Sequence, residues 1–383
     1  MSAPPAFRPP EGARVGDRSD VIDCLREEIP GARWMPVGGG TLLGRGGRPP
    51  DPVRRIDLSR LDRVLELAHE DLTVTVEAGA RLVEVQAALA EKSLWLPLSV
   101  APHPRSTMGG WIGADRRSPL AGAWSTVRDY VLGVTFATGA GETARAGGKV
   151  VKNVAGYDLM KPLVGSLGEL GIVLEATFKV LPRPQTWAGV LLSAPDPQGR
   201  RIALEEIAVT LAPAGLWRFD LGGGEHLLAV FAGPRARVAF QVAGTRDRWG
   251  AEARALEGDR AWTLLGELEA MTRPDERATA WGGALPGFLA TGDLGGLVSP
   301  SSWVVDLLGG HLWLADPTDD GLASAREFLK EGEGHLHRDA PANSFLDDPW
   351  GWKPGSERDL WQGMKAAFDP AGRLVRGRLP GGV

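Results

Sequence analysis

Three consecutive glycines and a threonine, Gly38-Gly39-Gly40-Thr41, follow directly on the short run Arg33-Trp34-Met35-Pro36-Val37. Glycine loses more backbone freedom on folding than any other residue, so a run of them points to a use. With no Cβ and with positive φ open to them, successive backbone N–H groups converge on an anion. The Thr41 hydroxyl adds a donor, and a diphosphate is the guest that suits such a cradle. The two familiar phosphate loops do not fit. Gly39 to Gly44 has Walker spacing, but Arg45-Gly46 stand where Lys and Ser or Thr are required. Gly38 and Gly40 lack the third glycine of a dinucleotide fingerprint. Gly139-Ala140-Gly141-Glu142-Thr143-Ala144 matches that fingerprint loosely, yet Arg145-Ala146-Gly147-Gly148 after it is a poor helix start, so it reads as a turn between strands.

Three further segments carry the same signature. Gly109-Gly110 lies in an irregular stretch from Pro102 to Ser125, and a long loop with little structure of its own is usually functional. Lys149 to Leu159 and Gly165 to Val173 are the others. Each alone reads as an ordinary turn; together they suggest one elongated ligand crossing several loops. The histidines are His69, His103, His226, His311, His335 and His337. His335 and His337 share one face of a strand by their spacing. Two imidazoles without a nearby carboxylate make a poor metal site, so no metal is expected.

The elements that must position these residues are legible in outline. Asp17 to Ile29 has helical apolar spacing and stops at Pro30-Gly31. Strands are expected at 33–37, 56–58, 73–77, 131–138 and 172–180, and Leu82, Val85 and Leu89 stripe a helix. Leu181-Pro182-Arg183-Pro184 closes this region. Beyond it, helices are expected near Ile202 to Ile207, near Ala251 to Leu256 and at Leu322 to Leu329. Strands are expected at Leu227 to Phe231, and as a hairpin at Trp303–Leu307 and His311–Leu314 turning on Gly309-Gly310. This alternation suggests an α+β lobe with an antiparallel sheet. A last helix is expected from Ser356, with Asp359 completing a capping-box pattern and Leu360, Met364 and Ala367 on one face.

Bulk composition narrows the classes. At 383 residues, two lobes are expected. A net charge of −5 argues against a nucleic-acid binder. The one cysteine, Cys24, excludes an internal disulfide and points to a reducing compartment. The Pro-rich residues 1–16 read as a disordered lead without the apolar core of a signal peptide. No run approaches the ~20 apolar residues of a membrane helix.

In order along the chain stand Val37-Gly38-Gly39-Gly40-Thr41, Thr107-Met108-Gly109-Gly110, Val127-Arg128-Asp129-Tyr130-Val131-Leu132-Gly133, Lys152-Asn153-Val154-Ala155-Gly156-Tyr157-Asp158-Leu159 and Gly165-Ser166-Leu167-Gly168-Glu169-Leu170-Gly171. Together they resemble the FAD-binding domain of the vanillyl-alcohol oxidase (PCMH-type) flavoproteins. The Lys-Asn-Val-Ala-Gly-Tyr-Asp-Leu string is similar, more narrowly, to the FAD-binding subunits of bacterial glycolate oxidases. The resemblance implies an α+β fold. A PCMH-type FAD-binding domain of two α/β subdomains spans 17–184, a smaller α+β cap lobe spans 185–355, and a C-terminal helix and tail span 356–383. It implies that Gly38, Gly39, Gly40, Thr41 and Leu42 bind the diphosphate. Thr107, Gly109 and Gly110 would flank the flavin and its ribityl chain, and Gly168, Gly171, Ile172 and Val173 would line the adenine end. Relatives with a covalent flavin often carry His at the first glycine loop; Thr41 stands here, so a non-covalent FAD is expected. The family ending Asp-Pro-x-Gly followed by Asn-Pro-Gly is only half kept. Asp369-Pro370-Ala371-Gly372 is present, but Arg376-Gly377-Arg378 lacks the Asn-Pro, which leaves the packing of the tail beside the flavin open.

Oxidising a 2-hydroxy acid needs a base for the hydroxyl proton and a cation for the carboxylate. His103, in the loop expected to border the flavin, is the single candidate base, against the simpler reading of a satisfied loop histidine. Arg105, Arg116, Arg117 and Arg128 are candidates for steering an anion, and Arg128-Asp129 reads as an internal ion pair. The implied function is the FAD-binding subunit of a multi-subunit 2-hydroxy-acid (glycolate) dehydrogenase, with a larger flavin subunit and an iron–sulfur subunit as partners. The alternative is a stand-alone FAD oxidoreductase acting on another small alcohol or hydroxy acid. A cytoplasmic place is implied, with any attachment to the inner face of the cell membrane made through partners.

Overall fold

Helix Arg18–Arg26 starts where Asp17 supplies a cap, its carboxylate accepting the N–H groups of Ser19 and Asp20. The structure is a computed structural model, and it describes residues 12–27, 30–149, 159–273, 278–294, 302–339 and 357–379. The string Lys152 to Asp158 falls outside those residues, as does Ser356. The disordered lead expected through residue 16 stops short: Ala13–Arg14 pairs in parallel with strand Val53–Asp57, and Val15 is fully buried. Apolar burial at Val15 fixes what composition left open.

Two larger sheets build the first lobe, beside the two-stranded pairing of Leu94–Trp95 with Leu181–Pro182. Ala13–Arg14, Val53–Asp57 and Arg33–Val37 form a parallel sheet in that order. Val64–Ala68, Thr73–Glu77, Ile172–Lys179, Val131–Ala137 and Thr143–Gly147 form a five-stranded antiparallel sheet. Helix Leu82–Ala90 buries the predicted stripe of Leu82, Val85 and Leu89. The stretch expected to be an irregular loop contains helix Met108–Ala114, capped by Thr107. Its glycines hid it. Gly109 is there because its backbone crosses against Ala78, where a Cβ has no room.

Sheet membership changes after Pro184. The second lobe is an eight-stranded antiparallel sheet, in order Arg254–Leu256, Thr186–Ser193, His226–Gly233, Gly215–Asp220, Trp303–Asp306, His311–Ala315, Thr279–Gly283 and His335–Asp339. The helix expected at 251–256 is instead the edge strand Arg254–Leu256, between helices Arg235–Trp249 and Gly258–Met271. Helices Arg235–Trp249, Pro286–Thr291 and Asp319–Glu331 cover one face of the sheet. The other face meets helix Gly258–Met271 together with Trp95, Val100 and Leu120 of the first lobe. The lobe junction therefore runs along this second face.

The chain ends by returning to the first lobe. Helix Glu357–Phe368 lays Trp361, Met364 and Phe368 on the first core. The apolar face is thus rotated from the expected one, with Leu360 and Ala367 exposed. Leu374 then bridges to Trp34 beside the parallel sheet. Among the described residues no helix is long and apolar enough to cross a membrane.

Candidate functional site

The glycine loop leaves the end of strand Arg33–Val37 and passes over the segment 105–107. Only Gly40 of the three has positive φ, at 75°. Gly38 and Gly39 are needed for close approach: a Cβ on Gly39 would overlap the carbonyl oxygen of Arg105, and one on Gly38 the hydroxyl of Thr107. The backbone N–H groups of Gly39, Gly40, Thr41 and Leu42 donate to no described residue. Uncommitted donors on a loop without side-chain bulk form an anion cradle.

A cleft of about 100 Å³ opens on this loop. Gly38, Gly39, Gly40, Thr41, Leu42, Thr107, Gly109, Gly110, Gly168, Gly171 and Val173 all line it. Three of the four segments, far apart in sequence, therefore share one cavity, and residues 150–158 of the fourth lie outside the described residues. Ile172 does not line it; it is fully buried in the first core. Thr107 Oγ1 accepts the Gly110 N–H at 3.3 Å, fixing the second glycine pair at the start of its helix. Gly168 has a φ of 83° and sits against the Pro36 ring, which leaves no space for a side chain.

Arg378, from the last turn of the chain, also lines the cleft. It was not foreseen, because nothing local in the sequence joins residue 378 to residue 43. Its Nη2 donates to the carbonyl of Leu43 at 2.7 Å and to that of Arg45. Burial pushes its guanidinium down to about 10, opposed by the charges of Glu169 and Asp339, so it stays cationic at neutral pH.

A second, smaller cavity lies at the lobe junction. Leu42, Arg45, Arg116, Arg117, Thr272, Trp281, Trp313 and Asp339 line it, and Leu42 belongs to both cavities. Arg45 pairs with Asp339 at 3.4 Å, donates to the Ala114 carbonyl at 2.7 Å and lies 4.5 Å over the Trp281 ring. Arg116 donates to Thr272 Oγ1 at 3.1 Å. Arg117 makes no hydrogen bond or ion pair with any described residue, although its charge lowers the pKa of both Asp306 and His311 nearby. Burial pushes the Asp306 carboxyl up to about 6 and the His311 imidazole down to about 4.

The remaining candidates separate. His103 lines neither cavity; its Nδ1 accepts the Arg105 N–H at 3.0 Å and shapes the turn. Arg105 and Arg128 lie exposed. The expected Arg128–Asp129 pair is replaced by a capping box, in which Asp129 accepts from Thr126 at 3.2 and 3.3 Å. His335 and His337 do share a face, and the His337 ring packs on Trp281 at 4.5 Å. Among the described residues no three His, Cys, Asp or Glu side chains are placed to hold a metal.

Residues 13–147 match the FAD binding domain family. The chain is 31% identical to the glycolate oxidase subunit GlcE of Escherichia coli over 329 residues, 81% of this chain and 82% of that one. It is 36% identical to the glycolate oxidase subunit GlcD of Bacillus subtilis over 163 residues, 43% of this chain and 34% of that subunit, so it spans about a third of GlcD. Alkyldihydroxyacetonephosphate synthase shares the fold, with a TM-score of 0.67 at 16% identity over 94% of this chain and 74% of the other.

Proposed function

The chain belongs to the family of the glycolate oxidase subunit GlcE, and on that premise we propose that it is the FAD-binding subunit of a multi-subunit 2-hydroxy-acid dehydrogenase acting on glycolate. The carrying observation is the glycine-built cleft with open amide donors; Leu42 in its wall also faces a small arginine-lined crevice. In this reading Gly38 to Leu42 hold the diphosphate, Thr107, Gly109 and Gly110 flank the flavin and ribityl chain, and Gly168, Gly171 and Val173 line the adenine end. The residues suit FAD because the loop lies so close to segment 105–107 that a Cβ on Gly38 or Gly39 has no room, and its N–H groups have no acceptor among the described residues. No histidine is placed to bond the flavin at that loop, which supports non-covalent binding.

FAD held there would supply a two-electron acceptor for oxidation of the substrate carbon. The chain's own part is to exclude water, hold the cofactor and orient a carboxylate. Arg117, which makes no hydrogen bond among the described residues, offers that carboxylate a guanidinium, and Arg116 and Arg45 add positive charge between two indole walls. The described residues of this pocket include no histidine, lysine or tyrosine, and its one carboxylate, Asp339, is held by Arg45. Such a pocket binds an anion better than it deprotonates an alcohol. That favours a flavin subunit working beside a larger flavin subunit, with the electrons leaving to an iron–sulfur partner. A chain with the single cysteine Cys24 has no cluster ligand set of its own.

Anaerobic addition of glycolate to the FAD-loaded chain tests this division of labour. The flavin spectrum is expected to shift slightly as the carboxylate binds, without bleaching, and to bleach once the partner subunits are added. Fast bleaching of the isolated chain would assign it the whole reaction and leave the subunit reading without support.

A further inference from the structure

Every described residue lining the glycine cleft is glycine, apolar, proline or hydroxyl-bearing except Arg378. A diphosphate brings negative charge into this cleft, and charge moved out of water without a counter-charge is strongly disfavoured. Arg378 is itself 3% exposed, so its own charge has been removed from water.

We propose that Arg378 is the counter-charge of the cofactor diphosphate, which makes the C-terminal tail a wall of the cofactor site. The proposal rests on the FAD reading above and adds to it a residue some 335 positions from the glycine loop. The main chain of the tail and the guanidinium are both held, Nη1 reaching Met35 Sδ at 3.5 Å. The N–H of Arg378 donates to Glu169 Oε1 at 2.6 Å, and the Leu379 N–H to the same oxygen at 2.9 Å. The Gly47 N–H donates to the Arg378 carbonyl at 3.0 Å. Its Nη2 holds the carbonyls of Leu43 and Arg45, at the exit of the loop that lines the cleft with undonated amides. Upstream, the Trp34 N–H donates to the Arg373 carbonyl and the Val375 N–H to the Trp34 carbonyl, both at 2.8 Å, so the tail runs beside the strand that launches the loop. Cation, loop and strand are thus tied together by hydrogen bonds. A planar fork already fixed in place loses little freedom when it meets a phosphate oxygen.

The test compares three ligands on the full-length chain stripped of flavin: FAD, ADP and riboflavin. ADP carries the diphosphate without the flavin, and riboflavin the flavin without the phosphates. Replacing Arg378→Gln removes the charge while keeping an amide donor for the loop carbonyls. The proposal expects FAD and ADP to weaken together, by ~10–100-fold as for a lost hydrogen bond to a charged group, with riboflavin unchanged. Unchanged ADP affinity overturns it, as does a loss confined to riboflavin and FAD. Should the Gln variant not fold, hydrogen exchange of the unaltered chain decides: ADP is expected to slow exchange of the amides of residues 374–379, and riboflavin to leave them alone. Equal exchange with and without ADP overturns the proposal. A wild-type chain that binds FAD but is indifferent to Arg378 contradicts only this inference, whereas a wild-type chain that binds no FAD removes the reading beneath it as well.

Discussion

Glu169 lies fully buried under the cleft, accepting the amides of Arg378 and Leu379 with Oε1. Its pKa rises from 4.5 to about 7, because burial penalises the charged form more than Lys365, Arg378 and the two tail amides favour it. A carboxyl with a raised folded-state pKa holds its proton more tightly folded than unfolded. Its contribution to stability is therefore whole below pH 4.5 and lost as the pH rises through about 7. The size is of order ~3 kcal/mol. Glu169→Gln should remove that slope, so urea denaturation across this range should show the wild type losing stability relative to the variant. Parallel profiles would contradict the assignment. At this scale the glycines announced themselves in the sequence, since a run of residues so costly to order points to a use even when the partner is distant, as Arg105 is from Gly39. Arg378, Arg117 and the Arg45–Asp339 pair did not. Their roles come from partners in distant segments, and a lone arginine carries no mark of what it will face.

The C-terminal helix and tail form the element on which the cleft's floor depends. Lys365 sits at its hub. Its Nζ donates to the carbonyls of Glu169 at 2.7 Å and Val375 at 3.0 Å, and pairs with Asp369 at 2.8 Å. Asp369 in turn caps the tail by accepting the N–H groups of Arg373 at 2.8 Å and Leu374 at 3.0 Å. Removing one partner of a buried pair leaves the other charge uncompensated, so Lys365→Met should cost about 3–5 kcal/mol in chemical denaturation. It should also lower flavin retention, because the tail carries Arg378. A variant as stable as the wild type would show that the tail is not held this way. Strands such as Thr73–Glu77 and Ile172–Lys179 were readable because apolar runs and turn residues bound them. Helix Met108–Ala114 was not, because Gly109, Gly110 and Gly113 have poor intrinsic helix propensity and tertiary packing overrides it. The edge strand Arg254–Leu256 was misread because three residues carry no period, and its pairing with Gly189 to Leu191 decides its form.

For the whole molecule, the geometry that matters is the seam between the lobes. Glu269, on helix Gly258–Met271, accepts the amides of Val100 at 2.8 Å and Ala101 at 3.0 Å and the hydroxyl of Ser99. The indoles of Trp95, Trp124, Trp187 and Trp262 close the seam edge to face, with centroids 4.8–5.6 Å apart. These contacts hold the arginine pocket against the cleft. Arg117 has no hydrogen-bonding role among the described residues, so Arg117→Met should leave the melting temperature nearly unchanged. It should weaken the spectral shift produced by glycolate by ~10-fold or more; an undiminished shift would place the carboxylate elsewhere. The account as a whole stands on the cleft holding FAD without a covalent bond. The most direct measurement incubates the purified chain with FAD, removes unbound flavin by gel filtration, and records the visible spectrum before and after acid precipitation. The account predicts a flavin band that travels with the native protein and passes wholly into the acid supernatant. A chain that emerges from gel filtration without flavin, or a precipitate that stays yellow, would contradict it.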